Sequence, residues 1–132
     1  MKGTTPLVEL TPEFKDAVNA FWTGKGNEAL TDFNYTAESF DAVLLIALAA
    51  EAAGTDGSEL ADQIVAVSKE GTKCSPATWA DCIATVKAKG DVDFDGFSGP
   101  NTMNGNGEPL EASYGILQFG AGNRLDDSLT TY

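Results

Sequence analysis

A continuous apolar run in the middle of the chain restricts the possible folds most strongly. Within FDAVLLIALAAEAAG, residues 40–54, the segment from Ala42 to Ala50 is apolar on every side of a helix. Such a helix is expected to be buried on most of its surface. The run is about half as long as a bilayer requires, and Asp41 and Glu51 bound it. We therefore expect a central packing helix without a membrane role, opening near Thr36 and ending at Gly54, a favourable C-cap.

Three further helices are predicted around this one. Thr11-Pro12-Glu13 combines a capping hydroxyl, a proline at the first helical position and an acid in the first turn. The apolar residues that follow share one helix face, expected to lie on a core: Phe14, Ala17, Val18, Phe21 and Trp22. Ser58 is expected to cap a third helix, and Ser75-Pro76 to start a fourth that ends at Gly90.

The chain changes character after Gly90. A short strand is predicted from Val92 to Phe94, then a glycine-rich turn region to Pro109, then a strand from Ala112 to Phe119 and a loose polar tail. The fold class is therefore α/β, with about four helices and two or three short strands. So small a sheet cannot cover such apolar helices, which indicates part of a larger α/β domain.

Composition excludes several classes of function. The 132 residues suffice for one domain, and 20 acidic against 8 basic residues give a net charge of −12. A surface that negative repels nucleic acid and anionic membranes. The absence of histidine removes the usual general base, so the only candidate bases are carboxylates such as Asp93, Asp95 and Glu108. These are expected on an open turn rather than in a cleft, and we predict that the chain is not an enzyme.

The stretch GDVDFDG resembles the start of a calcium-binding EF-hand loop. Asp91, Asp93 and Asp95 stand at ligand positions 1, 3 and 5, and Gly96 stands at position 6. Position 12, which needs a bidentate glutamate, is Thr102. The alternation equally describes a half-buried strand followed by a turn, which we favour. A calcium-binding module at Asp91 to Asp95 is the less favoured alternative, and no metal is predicted.

The two cysteines leave two interpretations open. Cys74 and Cys82 are too few for a zinc site without histidine, and their spacing does not match redox pairs. In a secreted or periplasmic protein they could form a disulfide. In the cytosol they would be two buried thiols.

Several motifs, taken in order, resemble one family. FDAVLLIALAAEAAG is similar to an aromatic-Asp-Ala-Val helix of the periplasmic solute-binding proteins of branched-chain amino-acid ABC transporters, which have the type I periplasmic-binding-protein fold. VDFDGFSGP, residues 92–100, resembles their Ile-Asp-Tyr-Asp-Gly-x-Ser-Gly-Pro stretch, and the turn from Asn106 to Pro109 with the strand ASYGILQF also agrees. Asn101 to Asn104 depart from the family, which usually has an apolar-Asp-Phe-Asp pattern there.

The resemblance implies a C-terminal fragment of such a receptor. Residues 1–111 would form the C-terminal portion of the first ligand-binding lobe, and residues 112–132 a crossing strand and polar tail. The expected activity is capture of a branched-chain or related amino acid, or another small apolar acid or amide, between closing lobes, without a cofactor. Expected partners are the membrane subunits of an ABC transporter and the remainder of the receptor chain, in a periplasmic or extracellular location. Open strand edges would also allow self-association.

The resemblance also implies site residues. Tyr35 lies five residues before the aromatic-Asp-Ala-Val motif, where a ring can pack on the ligand side chain; Asn34 and Glu38 are weaker candidates. The alternative is that Tyr35 merely covers the end of the helix. Some members carry a cysteine pair like Cys74 and Cys82 as a disulfide, which favours the bridge. The same lobes serve as the ligand-sensing domain of signalling receptors, and that is the alternative function.

Overall fold

The structure, a computed structural model, describes residues 1–132 apart from the side chain of residue 127. Over that range it contains four α-helices, α1 (Pro12–Thr23), α2 (Thr36–Ala53), α3 (Leu60–Ala66) and α4 (Trp79–Lys87). The five strands are β1 (Lys2–Pro6), β2 (Thr72–Cys74), β3 (Val92–Gly96), β4 (Gly99–Pro100) and β5 (Tyr114–Gln118). The chain forms two compact units, one of Met1–Ala37 with Ser113–Tyr132 and one of Glu38–Ala112. The predicted α/β class is confirmed.

The second unit, Glu38–Ala112, contains a three-stranded sheet in the order β2-β3-β4. β2 runs parallel to β3, with Cys74 opposite Phe94, and β3 turns back into β4 as an antiparallel hairpin. Val92 and Phe94 are buried, whereas Asp93 and Asp95 point to the opposite face. The strand-then-turn interpretation of this stretch is therefore confirmed. The core of the unit contains Leu45, Leu48, Ala49, Val67, Cys74, Cys82, Val86, Val92 and Phe94.

The first unit, Met1–Ala37 with Ser113–Tyr132, has a smaller core of Leu10, Phe14 and Ala37. β1 and β5 pair in antiparallel fashion. The tail bonds to the other edge of β5, because the backbone N–H of Ile116 donates to the carbonyl of Thr131 at 2.8 Å and the N–H of Thr131 donates back at 3.2 Å. The prediction of a loose tail is wrong, since the tail satisfies backbone groups that β5 would otherwise expose.

Neither long helix is buried as the sequence predicts. In α2, Leu45 and Leu48 are buried, but Val43 is 64% exposed and Ile46 is 48% exposed. In α1, Phe14 is buried while Phe21 is 68% exposed. One side of α2 meets the core and its other apolar side is exposed, whereas in α1 the exposed Phe21 lies on the same face as buried Phe14, two turns nearer the end of the helix. In the part of the chain that the structure describes, no helix has the length and apolar character needed to cross a bilayer.

The predicted helix ends are only partly correct. Thr11 caps α1, accepting from the N–H of Phe14 at 3.3 Å, and Gly54 ends α2 with a φ of 71°. Ser58 is not the cap of α3, whose N-cap residue is Glu59. Ser75 caps a single 3₁₀ turn, Pro76–Thr78, and α4 begins only at Trp79. β3 is longer than predicted, because its hairpin with β4 extends it to Gly96. β5 is shorter than predicted, because its pairing with β1 covers only Tyr114 to Gln118.

Candidate functional site

A buried carboxylate organises the end of strand β3. Asp41, in the second turn of α2, is only 1% exposed. One of its oxygens accepts the backbone N–H of Phe97 at 3.0 Å. The other accepts both the backbone N–H and the hydroxyl of Ser98, each at 2.6 Å. Three donors thus satisfy a buried charge, as burial of a carboxylate requires.

The same contact explains why glycine precedes the turn. A Cβ atom on Gly96 would overlap the Asp41 carboxylate. Only a residue without a side chain lets β3 pass so close to α2. FDAV and DGFSGP are far apart in the sequence, but in the structure they form one hydrogen-bonded unit, which we call the Asp41 latch: Asp41, Gly96, Phe97 and Ser98.

The Asp41 latch lies at the carboxyl end of a parallel strand pair. Because β2 and β3 are parallel, the segments that follow them, Ser75 and Phe97-Ser98, emerge at the same edge of the sheet. In open α/β sheets that edge is where ligands bind. It carries an aromatic pair, Phe40 and Phe97, whose ring centroids are 5.5 Å apart in an edge-on arrangement. Both rings are partly exposed, so this edge offers an apolar surface, and the backbone of Phe97 is hydrogen-bonded to Asp41.

Lys73 occupies the space between the two aspartates on the outer face of the sheet. Its ammonium group lies 3.1 Å from a carboxylate oxygen of Asp93 and 2.9 Å from one of Asp95. The hydrogen bond to Asp95, and after it the one to Asp93, raise the pKa of Lys73 above its ordinary value of 10.5. Two of the three aspartates of the supposed calcium loop, Asp93 and Asp95, thus serve as partners of a lysine on the neighbouring strand. Among the described residues, no group of three or more acidic or cysteine side chains is arranged to hold a metal ion.

Cys74 and Cys82 form a disulfide, as the family resemblance implied. Their Cα atoms are 5.6 Å apart, within the range that a disulfide spans. The 3₁₀ turn after Cys74 provides the required return of the chain, and the bond joins the end of β2 to the second turn of α4. Both cysteines are buried in the core of the second unit.

The structure places the three predicted ligand residues around the start of α2. Tyr35 is 56% exposed and has a φ of 59°, in the left-handed region. Asn34 is exposed, and its backbone N–H donates to the Asp32 carboxylate at 2.9 Å. Glu38 is half-buried in the first turn of α2. Asn34 and Tyr35 belong to the first unit and Glu38 to the second.

Comparison with known proteins identifies the family. Residues 1–121 match the family model described as the receptor family ligand-binding region. The chain belongs to this family. No curated protein and no solved structure matches the chain. As a receptor family ligand-binding region, it is a member of a ligand-binding family, and its mixed α/β fold is consistent with part of such a domain.

Asp41, the residue that organises this edge of the receptor family region, is not among the predicted site residues. The sequence pattern marks it only as a boundary of the apolar run. It lies four residues after Ala37 and four before Leu45, both buried, so the helical period already placed its carboxylate on the buried side. A carboxylate on the buried side of a helix must have hydrogen-bond donors or an opposite charge as partners. Ser98 carried no comparable signal, because its role depends on the hairpin between β3 and β4.

Proposed function

We propose that the chain forms part of an extracytoplasmic solute-binding receptor that captures branched-chain or related amino acids for an ABC transporter. The observation that carries the proposal is the family match over residues 1–121, together with the order of the motifs at residues 40–54 and 92–100. The Cys74–Cys82 disulfide supports a periplasmic or extracellular location, since such bonds persist in oxidising compartments. The membrane subunits of the transporter and the remainder of the receptor chain are the proposed partners.

Tyr35 is the proposed contact for the ligand side chain. A left-handed conformation costs a residue with a Cβ roughly 1–2 kcal/mol, and residues strained in this way cluster at ligand sites. The exposed ring has an apolar face that suits an aliphatic ligand side chain. Asn34 and Glu38 are the weaker proposed ligand residues. In the alternative function, a signalling receptor, the binding step is the same and only the output differs.

The test is a backbone amide NMR titration of the full chain with leucine, isoleucine and valine in separate experiments. Tyr35→Asn removes the ring while retaining a residue that tolerates the left-handed conformation. Tyr114→Thr is the matched control, because Tyr114 is 58% exposed in the same unit and threonine suits a strand. We expect saturable shifts near Tyr35 and an affinity loss on the order of tenfold in Tyr35→Asn alone.

Two outcomes would contradict the proposal. The ligand assignment fails if no amino acid gives saturable shifts, or if both variants weaken binding equally. Calcium is titrated in parallel, and saturable shifts confined to residues 91–96 would support the calcium-module alternative instead. Transport is tested separately, by reconstitution of the whole receptor with its membrane subunits.

A further inference from the structure

The exposed turn before α2 carries a sequence motif that the proposed function does not use. The chain contains seven asparagines, and only Asn34 is followed two positions later by serine or threonine, in Asn34-Tyr35-Thr36. An Asn-x-Ser/Thr triplet in which x is not proline is the acceptor of N-linked glycans in exported proteins. Asn34 is also the only one of the seven with an acidic residue, Asp32, two positions before it.

The structure leaves the side chain of Asn34 accessible. Asn34 is exposed, and no described residue is hydrogen-bonded to its carboxamide. Four other asparagines use their carboxamides in hydrogen bonds within the chain: Asn19, Asn27, Asn101 and Asn104. The carboxamide nitrogen of Asn34 is therefore available to an enzyme, in the one triplet that also supplies the hydroxyl.

Few local bonds hold the acceptor segment, residues 32–36. The backbone N–H of Asn34 donates to the Asp32 carboxylate at 2.9 Å, and the N–H of Thr36 donates to the carbonyl of Phe33 at 3.1 Å. Thr36 is the first residue of α2, where backbone N–H groups lack helical partners. The segment also precedes Ala37 in the unit with the smaller core. Such a segment opens locally at low cost, as binding to a transferase requires.

We propose that Asn34 is an acceptor for N-glycosylation in the folded chain, and that the donor is an oligosaccharide carried on a polyprenyl diphosphate. Nδ2 of Asn34 forms a bond to the anomeric carbon of the first sugar, and the bond from that carbon to the diphosphate oxygen breaks. The polyprenyl diphosphate leaves, and one Nδ2 proton passes to a carboxylate of the transferase. The Thr36 hydroxyl is the group by which the transferase recognises the acceptor.

Asp32 fits the acceptor requirement of periplasmic transferases. These enzymes recognise an acidic side chain two positions before the asparagine, which a basic residue of the enzyme can bind. The inference uses the proposed extracytoplasmic location but not the identity of the solute. In a glycosylated molecule, the glycan would replace the weaker role of Asn34 as a ligand residue.

The test combines the purified, folded full chain with a periplasmic oligosaccharyltransferase and a synthetic polyprenyl-diphosphate glycan, and measures the intact mass and the modified peptide. Asn34→Gln removes the acceptor. Thr36→Val removes the hydroxyl at similar side-chain shape, whereas Thr36→Ser retains it. Asn27→Gln is the matched control, because Asn27 is exposed in the same unit but is followed by Glu28-Ala29.

We expect the mass to increase by one glycan, attached at Asn34, in the original chain, in Asn27→Gln and in Thr36→Ser. Asn34→Gln and Thr36→Val should stay unmodified, and Asp32→Asn should lose most of the modification. Circular dichroism should show that every variant keeps its helix content.

Absence of transfer to the folded chain would overturn the inference, even if the urea-unfolded chain were modified. Transfer to another asparagine would also overturn it, as would equal modification of Thr36→Val or Asp32→Asn. The readout contains no amino-acid ligand, so a failure here is distinct from a failure of the proposed solute binding.

Discussion

Asp41 shows how one side chain can fix a turn that follows a distant strand. Its carboxylate is buried and accepts hydrogen bonds from two backbone N–H groups and one hydroxyl. In Asp41→Asn, the side-chain NH₂ group would replace one of the accepting oxygens. It would then face a backbone N–H group, so that two hydrogen-bond donors would meet without an acceptor. We expect a loss of about 2–3 kcal/mol in the free energy of unfolding, measured by urea denaturation.

Two other substitutions make this expectation specific. Ser98→Ala removes one donor and should cost only about 1 kcal/mol. Asp91→Asn alters an exposed aspartate of the same unit and should leave the midpoint of urea denaturation unchanged. The role of the Asp41 latch would be refuted if Asp41→Asn behaved like Asp91→Asn.

Lys73 gives a pH dependence whose direction can be derived. Its pKa is raised in the folded state by the hydrogen bonds to Asp95 and then Asp93. The stabilising contribution is therefore complete below the ordinary value of 10.5 and is lost as pH rises through the raised pKa. Lys73→Met should lower the free energy of unfolding at neutral pH, and its difference from the original chain should shrink above about pH 10.5.

Salt provides a second check on Lys73. The lysine is exposed, so added salt should reduce the difference between Lys73→Met and the original chain at neutral pH. Lys87→Met, at an exposed lysine of α4, should show no comparable narrowing above pH 10.5. A difference for Lys73→Met that stayed constant with pH would mean that the ion pair does not contribute.

At the scale of elements, the end of α4 has a lysine at a position where glycine is the most favourable residue. The N–H of Lys89 donates to the carbonyl of Val86, and the N–H of Gly90 donates to the carbonyl of Thr85, both at 2.9 Å. This pattern requires the left-handed residue to be Lys89, whose φ is 61°, and not Gly90. Lys89→Gly should therefore stabilise the chain by about 0.5–1 kcal/mol, measured by thermal unfolding.

A glycine inside the same helix should act in the opposite direction. Lys87→Gly should destabilise the chain by about 1 kcal/mol, because residue 87 has helical geometry. If Lys89→Gly were also destabilising, the left-handed assignment would be wrong.

The disulfide between β2 and α4 closes a short loop, with a sequence separation of 8. A loop of that size corresponds to roughly 2–3 kcal/mol of stabilisation in the chain-entropy model. We expect reduction with dithiothreitol to lower the free energy of unfolding by that amount. The double variant Cys74→Ala with Cys82→Ala should be insensitive to the reductant, and any remaining response would indicate an effect elsewhere.

Elements whose ends depend on neighbouring residues are predictable from the sequence, whereas elements that depend on pairing with distant residues are not. Thr11-Pro12 and Gly54 act through their own backbone neighbours, so the sequence located the start of α1 and the end of α2 correctly. β2 and β4 are very short and exist because β3 lies between them, which no local pattern reveals. The candidate site divides in the same way. Tyr35 stays a prediction that rests on the family resemblance, whereas the Asp41 latch depends on a contact between residues more than fifty positions apart.

At the scale of the whole molecule, the two compact units have unequal cores. The core of Glu38–Ala112 contains nine buried residues and a disulfide, whereas that of the other unit contains Leu10, Phe14 and Ala37. Local stability follows the buried apolar contacts that protect each backbone amide. We therefore expect native-state hydrogen exchange to be slower at β3 than at β1 and β5.

Two core truncations would test this division. Phe14→Ala removes the largest side chain of the smaller core and should cost about 3 kcal/mol, confined to the protection of Met1–Ala37 and Ser113–Tyr132. Val92→Ala, in the larger core, should reduce protection within Glu38–Ala112. If Phe14→Ala instead lowered the protection of every amide by the same amount, the chain would unfold as one cooperative unit, and the smaller core would be essential to the larger one.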